Sequence, residues 1–596
     1  MTGNELLWPA GRRTGALDFR DAAEDLELDR LGALLFPGLR GEEALEFAQT
    51  LATGDPETLA QRQRVIRDLT ENPALLTALD ALLPLMEELR RCDEGVRGNA
   101  AGLSVTRLDA AMDGVKKAVL RLERNLSKQG ADMLEENAAD NRYAQLLRAV
   151  LFRRTLTETY VRAMTLLRDA LDAAGLHSPE LCALRDWVSA QYAADRVDAA
   201  AAKLQALERE WAGVSAFAVD VCLDGHMGVV GLEIAETRAE PYARGGMLDF
   251  GGDGEREGIT ALLALPQNGS TVLFQEYLLS ELGYELRGKL TRLRGELLPL
   301  KLGGGETLLD LRDALRFYRA AAGFALRLEA TGLPVCLPEV ISGGALVLDF
   351  EAAYPPELAL TGQTPPVSND LRLGPGSVTL LTGPNSSGKT FHLLLAGQLV
   401  FLAQLGCPVP AARARFSPRD RLLTLFAAGE SETGEDSRMG MEVERIREIS
   451  GRMTADSLVL LNEPMTSTSA QEGARICADL LLDLARKGVP GMLVTHFSEV
   501  YPLLRASLAE AGLSDRLRSL VMTVRSREGG LDYLYKLVEA PPPPSSHARA
   551  VVAKKGVTLD AMLARMTALG VDVRPDAPGW AQLRRGLLAP AAGGDC

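Results

Sequence analysis

Eight residues constrain this chain more than any others. Gly383-Pro384-Asn385-Ser386-Ser387-Gly388-Lys389-Thr390 fit the pattern G-x-x-x-x-G-K-[ST] and directly follow the apolar run Ser377-Val-Thr-Leu-Leu-Thr382. Strand, glycine loop and helix therefore stand in the order that a phosphate-binding loop requires. The residue types match the chemistry. Small residues let backbone N–H groups wrap phosphates at a helix N-terminus, a lysine at position 389 reaches the β and γ oxygens, and the Thr390 hydroxyl can ligate Mg²⁺. The bland alternative is a chance glycine turn, which the flanking strand and helix patterns disfavour. Further on, strand-like runs at Val378–Leu381, Leu458–Leu461 and Met492–Thr495 alternate with helix-like segments at 388–406 and 470–487. This alternation predicts an α/β sheet with crossover helices.

Two of those strands end in polar residues that suit nucleotide hydrolysis. Ser457-Leu-Val-Leu-Leu461 runs into Asn462-Glu463-Pro464, where a phosphate-loop ATPase keeps its acidic pair. Glu463 is the candidate base that orients the attacking water. Asn462 stands where an aspartate is usual, keeping the hydrogen-bonding shape while losing one negative charge toward Mg²⁺. The expectation is slow hydrolysis, or a site that binds more than it turns over. Gly491–Thr495 ends at His496, in position to touch the γ-phosphate. The expected site is therefore Lys389, Glu463 and His496 for catalysis, Gly383 through Thr390 for the nucleotide, and Thr390, Asn462 and Glu463 for Mg²⁺. Each strand end also has a plain reading, an apolar strand finishing in a polar turn.

The 596 residues, at ~150 per domain, suggest several structural units. With 24% charged and 46% hydrophobic residues the chain has the composition of a folded globular protein, not of a disordered or fibrous one. Net charge is −15, so contact with nucleic acid has to come from local basic patches. The seven cysteines are scattered without a Cys-x-x-Cys pair, as reduced thiols would be. No signal-like start is visible, and the most apolar stretch, Leu393 to Val409, is interrupted by Gln398 and Gln404. The expectation is a cytoplasmic protein without a membrane span. From Phe19 to Ala212, spacings such as Leu75-Leu79-Leu82-Met86-Leu89 and Tyr143-Leu147-Val150-Leu151 predict helix. Short β-type runs fill 214–267, helix returns from Thr271 to Leu328, and Pro541–Pro544 form a stiff break before a last helical pattern.

Taken together, these motifs resemble the ATPase domain of the MutS family, the DNA mismatch-repair branch of ABC-type ATPases. The resemblance lies in order and flanks. After the phosphate loop come Val409-Pro410-Ala411, Ser437 with Glu442 five positions later, Leu458 to Glu463, Thr468-Ser469 and Thr495-His496. Val367-Ser368-Asn369-Asp370 precedes the loop strand, and Tyr535-Lys536-Leu537 with Ser545-Ser546-His547-Ala548 resembles the family's last strand and helix start. Upstream, Asp55-Pro56-Glu57, Arg62, Val65, Leu69, Asn72-Pro73 and Leu75 resemble the start of its helical lever.

The resemblance implies an α/β P-loop (ABC-type) ATPase domain preceded by a mostly α-helical core. Its domains would be a helical core and lever (1–213), a small β insertion at the clamp position (214–267), a second helical part (268–335), the ATPase domain (336–540) and a helical tail suited to dimerisation (541–596). It further implies ATP and Mg²⁺ as ligands and a homodimer in which Ser437 closes over the nucleotide held by the partner. Binding and hydrolysis would drive a clamp on duplex or branched DNA, in mismatch repair or related repair with partner proteins, at the nucleoid.

Several features depart from the family. The lever-like pattern begins near residue 40, so the expectation is that the usual mismatch-reading domain is absent, and Phe274-Gln275-Glu276 and Phe497-Ser498-Glu499 read as coincidental copies of its Phe-x-Glu. Pro366 stands where an aromatic suited to stacking on adenine is common, and only Ser437 matches in the signature Asp436-Ser437-Arg438-Met439-Gly440. Lys116, Lys117, Arg121, Arg124 and Lys128, and Arg287, Lys289, Arg292 and Arg294, form basic stripes that suit phosphate or simply a solvated helix face. Asp249, Asp253, Glu255 and Glu257 make the β insertion acidic. Two rival readings stand beside the clamp. One is a nucleotide-gated scaffold that switches protein partners with little turnover. The other, an SMC-type machine, needs heptad coiled coils that residues 100–210 are too short to supply.

Overall fold

The computed structural model describes residues 3–9, 17–99, 136–211, 216–223, 229–238, 286–341, 348–362, 365–426, 435–527 and 530–543, with Met562 and Arg565 alone beyond them. The basic stripe from Lys116 to Lys128, Phe274–Glu276, the acidic residues 249–257 and nearly all of the tail lie outside the described residues. The helices are α1 Gly3–Leu7, α2 Leu28–Leu35, α3 Gly41–Leu51, α4 Pro56–Glu71, α5 Pro73–Asn99, α6 Glu136–Ala173, α7 Pro179–Asp195, α8 Val197–Trp211, α9 Arg287–Leu297, α10 Gly305–Glu329, α11 Pro356–Thr361, α12 Lys389–Leu405, α13 Glu435–Arg452, α14 Ala470–Lys487 and α15 Val500–Glu510. The strands are β1 Ala216–Leu223, β2 Val229–Arg238, β3 Glu339–Val340, β4 Leu348–Ala353, β5 Asn369–Leu373, β6 Val378–Thr382, β7 Arg413–Phe416, β8 Leu422–Phe426, β9 Leu458–Asn462, β10 Gly491–Val494, β11 Leu517–Arg527 and β12 Gly530–Glu539. The chain is thus a mixed α/β protein of two compact units, Met1–Arg12 with Arg64–Gly323 and Arg13–Gln63 with Phe324–Cys596.

Among its described residues the first unit is helical apart from the antiparallel pair β1–β2. Along α5 the stripe Leu75, Leu79, Leu82, Met86 and Leu89 is fully buried, as its three-and-four spacing requires. On α6 Leu147 and Val150 are buried but Leu151 is exposed, because the next position on a helix turns 100° away from the core face. A buried polar knot anchors the loop before α10. Tyr160 Oη donates to Asp195 Oδ2 (2.5 Å), Gln191 Nε2 donates to the same oxygen (2.9 Å), and Gly304 N donates to Tyr160 Oη (3.1 Å). Burial and the Asp195 carboxylate push the Tyr160 phenol far above its ordinary pKa, so it stays a donor.

The second unit holds a six-stranded sheet in the order β12-β11-β6-β10-β9-β8 and a four-stranded sheet in the order β3-β7-β4-β5. Strands β11, β6, β10, β9 and β8 run parallel and β12 closes the edge antiparallel to β11. Every residue of β6 and β10 is buried, the continuous apolar pattern of parallel strands covered on both faces. By contrast β5 alternates buried and exposed, as a strand with one wet face does.

Residues 17–63, which the sequence reading groups with the helical first third, pack in this second unit. Asp18 pairs with Arg421 beside β8, the Phe19 ring meets Phe401 edge-on at 4.8 Å, and Gln398 Nε2 donates to Leu26 O (3.0 Å). Buried Gln404 donates to Thr53 O (3.3 Å) and Arg419 O (2.9 Å) and accepts from Arg419 N (2.8 Å). The two glutamines that interrupt the apolar stretch therefore satisfy buried backbone groups of the N-terminal segment. Among the described residues no helix is long and apolar enough to cross a membrane.

Candidate functional site

The loop between β6 and α12 is shaped by its glycines. Gly383 has φ +149° and Gly388, the N-cap of α12, has φ +94°. A Cβ on Gly383 would lie 2.8 Å from Met522 Cβ, a clash, and one on Gly388 would lie 3.3 Å from Tyr535 Cδ1, a tight contact at a φ that disfavours any side chain. Lys389 is buried and curls back, donating to Gly383 O (3.0 Å) and Pro384 O (3.1 Å). Burial lowers its pKa, partly opposed by the nearby Glu463 charge. Asn385, Ser386 and Thr390 are exposed, whereas Ser387 is buried and its Oγ has no partner. An orphaned hydroxyl beside a helix N-terminus suits an anion such as phosphate.

The acidic turn sits at the end of β9, two strands from β6 in the sheet. Thr390 Oγ1 donates to Asn462 Oδ1 (3.2 Å), which joins the loop to this strand. Glu463 has φ +49° and Met465 φ +60°, two non-glycine residues in left-handed backbone within three positions. Such residues cost about 1–3 kcal/mol each and persist only where the surroundings over-determine them. Here Glu463 N donates to Val494 O (2.9 Å) and buried Met465 packs where Gly473 leaves room.

His496 follows β10 and closes on Glu463. Its backbone N (3.2 Å) and its Nδ1 (2.6 Å) both reach Glu463 Oε2. Burial pulls the Glu463 carboxyl upward in pKa, but the His496 hydrogen bond and charge, with Lys389, outweigh it and hold the group below the ordinary carboxylate value. The same hydrogen bond raises His496. Phe497, the aromatic of the second Phe-x-Glu, is buried against Gly473, so it cannot serve as an exposed wedge.

Thr390, Asn462, Glu463 and His496 thus form two hydrogen-bonded pairs drawn from three segments. Few protein ligands for Mg²⁺ stand among them, which suits an ion held chiefly by substrate phosphates. Ser437 falls in the first turn of α13, and its side chain lies outside the described residues. Arg287, Lys289 and Arg292 line the exposed face of α9, with Arg294 half-buried.

Sequence reasoning passed over one aromatic. Tyr535 has φ +53° at the irregularity where β12 faces Thr523, and its exposed ring stands beside Gly388. Buried Asn369 fixes that bulge, donating to Tyr535 O (2.9 Å) and accepting from Leu537 N (2.8 Å). The Asn369-Asp370 stretch and the Tyr535-Lys536-Leu537 strand were both visible in the sequence; their clasp was the missing signal.

Residues 379–562 match the family model of MutS domain V. The chain is 27% identical to the DNA mismatch repair protein MutS of Parasynechococcus marenigrum over 528 residues, 84% of this chain and 54% of that protein. It is 29% identical to MutS of Brevibacillus brevis over 208 residues, 34% of this chain and 23% of the relative, and 30% identical to MutS of Thermus aquaticus over 226 residues, 35% and 27%. The chain spans about half the length, or less, of these curated relatives.

Proposed function

From its membership of the MutS family, we propose that this chain is a DNA-modulated ATPase that works as a homodimer on duplex or branched DNA in mismatch repair or a related repair process. The observation that carries the reading is the meeting of Thr390 with Asn462 and of Glu463 with His496, four residues from three motifs, beside the glycine loop. In this reading the loop amides and the Ser387 hydroxyl bind the phosphates of ATP, and Tyr535 offers its exposed ring to the base. Lys389 exchanges its two carbonyl partners for phosphate oxygens.

Glu463, ionised at neutral pH, accepts a hydrogen bond from the attacking water and orients it. Its depressed pKa makes it a better positioner than proton acceptor. His496 fixes the carboxylate through both of its N–H groups. Mg²⁺, when bound, neutralises charge that develops on the β and γ oxygens. Thr390 and Asn462 would hold it, with Glu463 near, and Asn462 contributes no charge, which favours slow turnover. The neutral pair equally suits the second reading, a nucleotide-gated switch for protein partners.

Steady-state ATP hydrolysis, measured without DNA and with perfect duplex, mismatched duplex and a four-way junction, tests the proposal, with Lys389→Ala as the blank. The expected result is a DNA-dependent rate that vanishes in the blank. A rate indifferent to every DNA, with no DNA retention in ATP, would leave the switch as the better account. In that case Asn462→Asp should raise turnover sharply.

A further inference from the structure

The turn after Glu463 is held by the sheet, by α14 and, from α13, by a carboxylate. We propose that Glu442 is a positioning residue for hydrolysis, the acceptor that keeps the Glu463 turn in its left-handed backbone and ties it to α13. The inference rests on the ATPase reading above.

Glu442 Oε2 accepts from Met465 N (3.0 Å) and from Ser467 Oγ (3.3 Å), donors two and four residues beyond Glu463. The remaining restraints on the turn come from elsewhere. Glu463 N is held by Val494 O of β10, and the Met465 carbonyl packs so closely on α14 that a Cβ at Gly473 would sit 3.1 Å from it. Cys477 Sγ of α14 lies 4.0 Å from Pro464 O. Glu442 alone among these reaches the turn from α13, where Ser437 lies five residues earlier.

Met465 is fully buried, so without Glu442 its amide would lose its acceptor in a place water does not reach. A backbone that strains two residues relaxes when a restraint is removed, and relaxation here swings the Glu463 carboxylate away from His496. Any movement of α13 is passed to Glu463 by the same bond. A glutamine at 442 can accept both hydrogen bonds through its amide oxygen, whereas an alanine accepts neither.

The test compares Glu442→Ala and Glu442→Gln in the full chain. Three quantities are read: kcat and KM for ATP, the Kd of a fluorescent ATP analogue, and amide hydrogen exchange across 463–468. Expected for Glu442→Ala is a fall in kcat of about 10- to 100-fold, as for a misplaced catalytic group, with Kd changed by less than about 2-fold. Exchange in 463–468 should quicken while peptides from β6 and α12 keep their protection. Glu442→Gln should recover most of the rate and the protection.

An unchanged kcat in Glu442→Ala, a parallel loss of nucleotide affinity, or a Glu442→Gln as poor as alanine would each overturn the proposal. If the unmodified chain hydrolyses no ATP, the ATPase reading fails. The exchange measurement then decides alone, and unchanged exchange in Glu442→Ala overturns the tether as well.

Discussion

The glycine loop and the turn after β9 meet at the proposed nucleotide site and both leave ordinary backbone, yet they do so with opposite residues. Gly383 and Gly388 take positive φ where a Cβ would collide with Met522 or crowd the Tyr535 ring. Glu463 and Met465 take it with full side chains, at φ +49° and +60°. At these two loop positions the proposed binding group is the backbone amide, so a side chain there is only an obstacle and glycine is the cheap solution. In the turn the carboxylate is the group proposed to work, so glycine is not available. The strain has to be carried by neighbours such as Val494 O and Glu442.

The largest effect should come from filling the loop. Gly388→Val adds a β-branched side chain at φ +94° and 3.3 Å from the Tyr535 ring. Binding of a fluorescent ATP analogue should weaken about 100-fold or more, through lost anion contacts at the helix N-terminus. Near-normal affinity would show that the loop tolerates a side chain and remove one half of the contrast.

The turn can be broken in a way that separates strain from chemistry. Glu463→Asn and Glu463→Ala both lose the carboxylate, and both should lower turnover about 100-fold or more. Asparagine adopts left-handed backbone readily and alanine does not, so the asparagine variant should be the more stable by about 1 kcal/mol in denaturant unfolding. Equal stabilities would mean that position 463 carries no backbone strain.

These two cases also show what the sequence could disclose. Strain borne by glycine is written in the residue types, and the loop from Gly383 to Thr390 was legible from its pattern and flanks. Strain borne by Glu463 was hidden, because the residues that hold it, Glu442, Gly473 and Val494, come from three other elements. The same holds at larger scale. The stripe Leu75 to Leu89 follows from local periodicity, whereas the pairing of Asp18 with Arg421 joins residues 403 positions apart and no local pattern announces it. Gln398 and Gln404 looked like breaks in an apolar run because their backbone partners, Leu26 O and Thr53 O, lie far upstream.

A pH titration sharpens the comparison without altering the backbone, because each region holds a histidine. His496 is raised above its ordinary value of 6.5 by the Glu463 hydrogen bond, and His392, one turn into α12, is lowered by burial despite its bond to Gly388 O. The His496 contribution to stability is full below pH 6.5 and is lost as pH rises through its higher folded value. Glu463, depressed below 4.5, contributes above that pH and loses its share as pH falls through its folded value. The pair is therefore strongest between about pH 4.5 and 6.5. With five histidines in the chain, NMR should resolve His496 titrating above 6.5 and His392 below it. Glu463→Gln should bring His496 down toward 6.5 and leave His392 where it was. A His496 that titrates below 6.5 in the unaltered chain would mean that the pair does not form.

The smallest effect tests the exception within the loop. Ser386 sits between the two glycines with φ +65° and an exposed side chain, so it carries strain of the kind found at Glu463 without an evident need for its side chain. Ser386→Gly relieves a left-handed backbone costing about 1–2 kcal/mol and adds about 0.5–1 kcal/mol of unfolded-state entropy. The net gain should be about 0.5 kcal/mol, visible as a small rise in the unfolding midpoint of the unit that contains the loop. If stability rises and analogue binding is unchanged, the loop uses position 386 as backbone alone. If binding falls, the serine hydroxyl is itself a ligand for phosphate, and the contrast between a loop that binds through backbone and a turn that works through a side chain has to be redrawn at this residue.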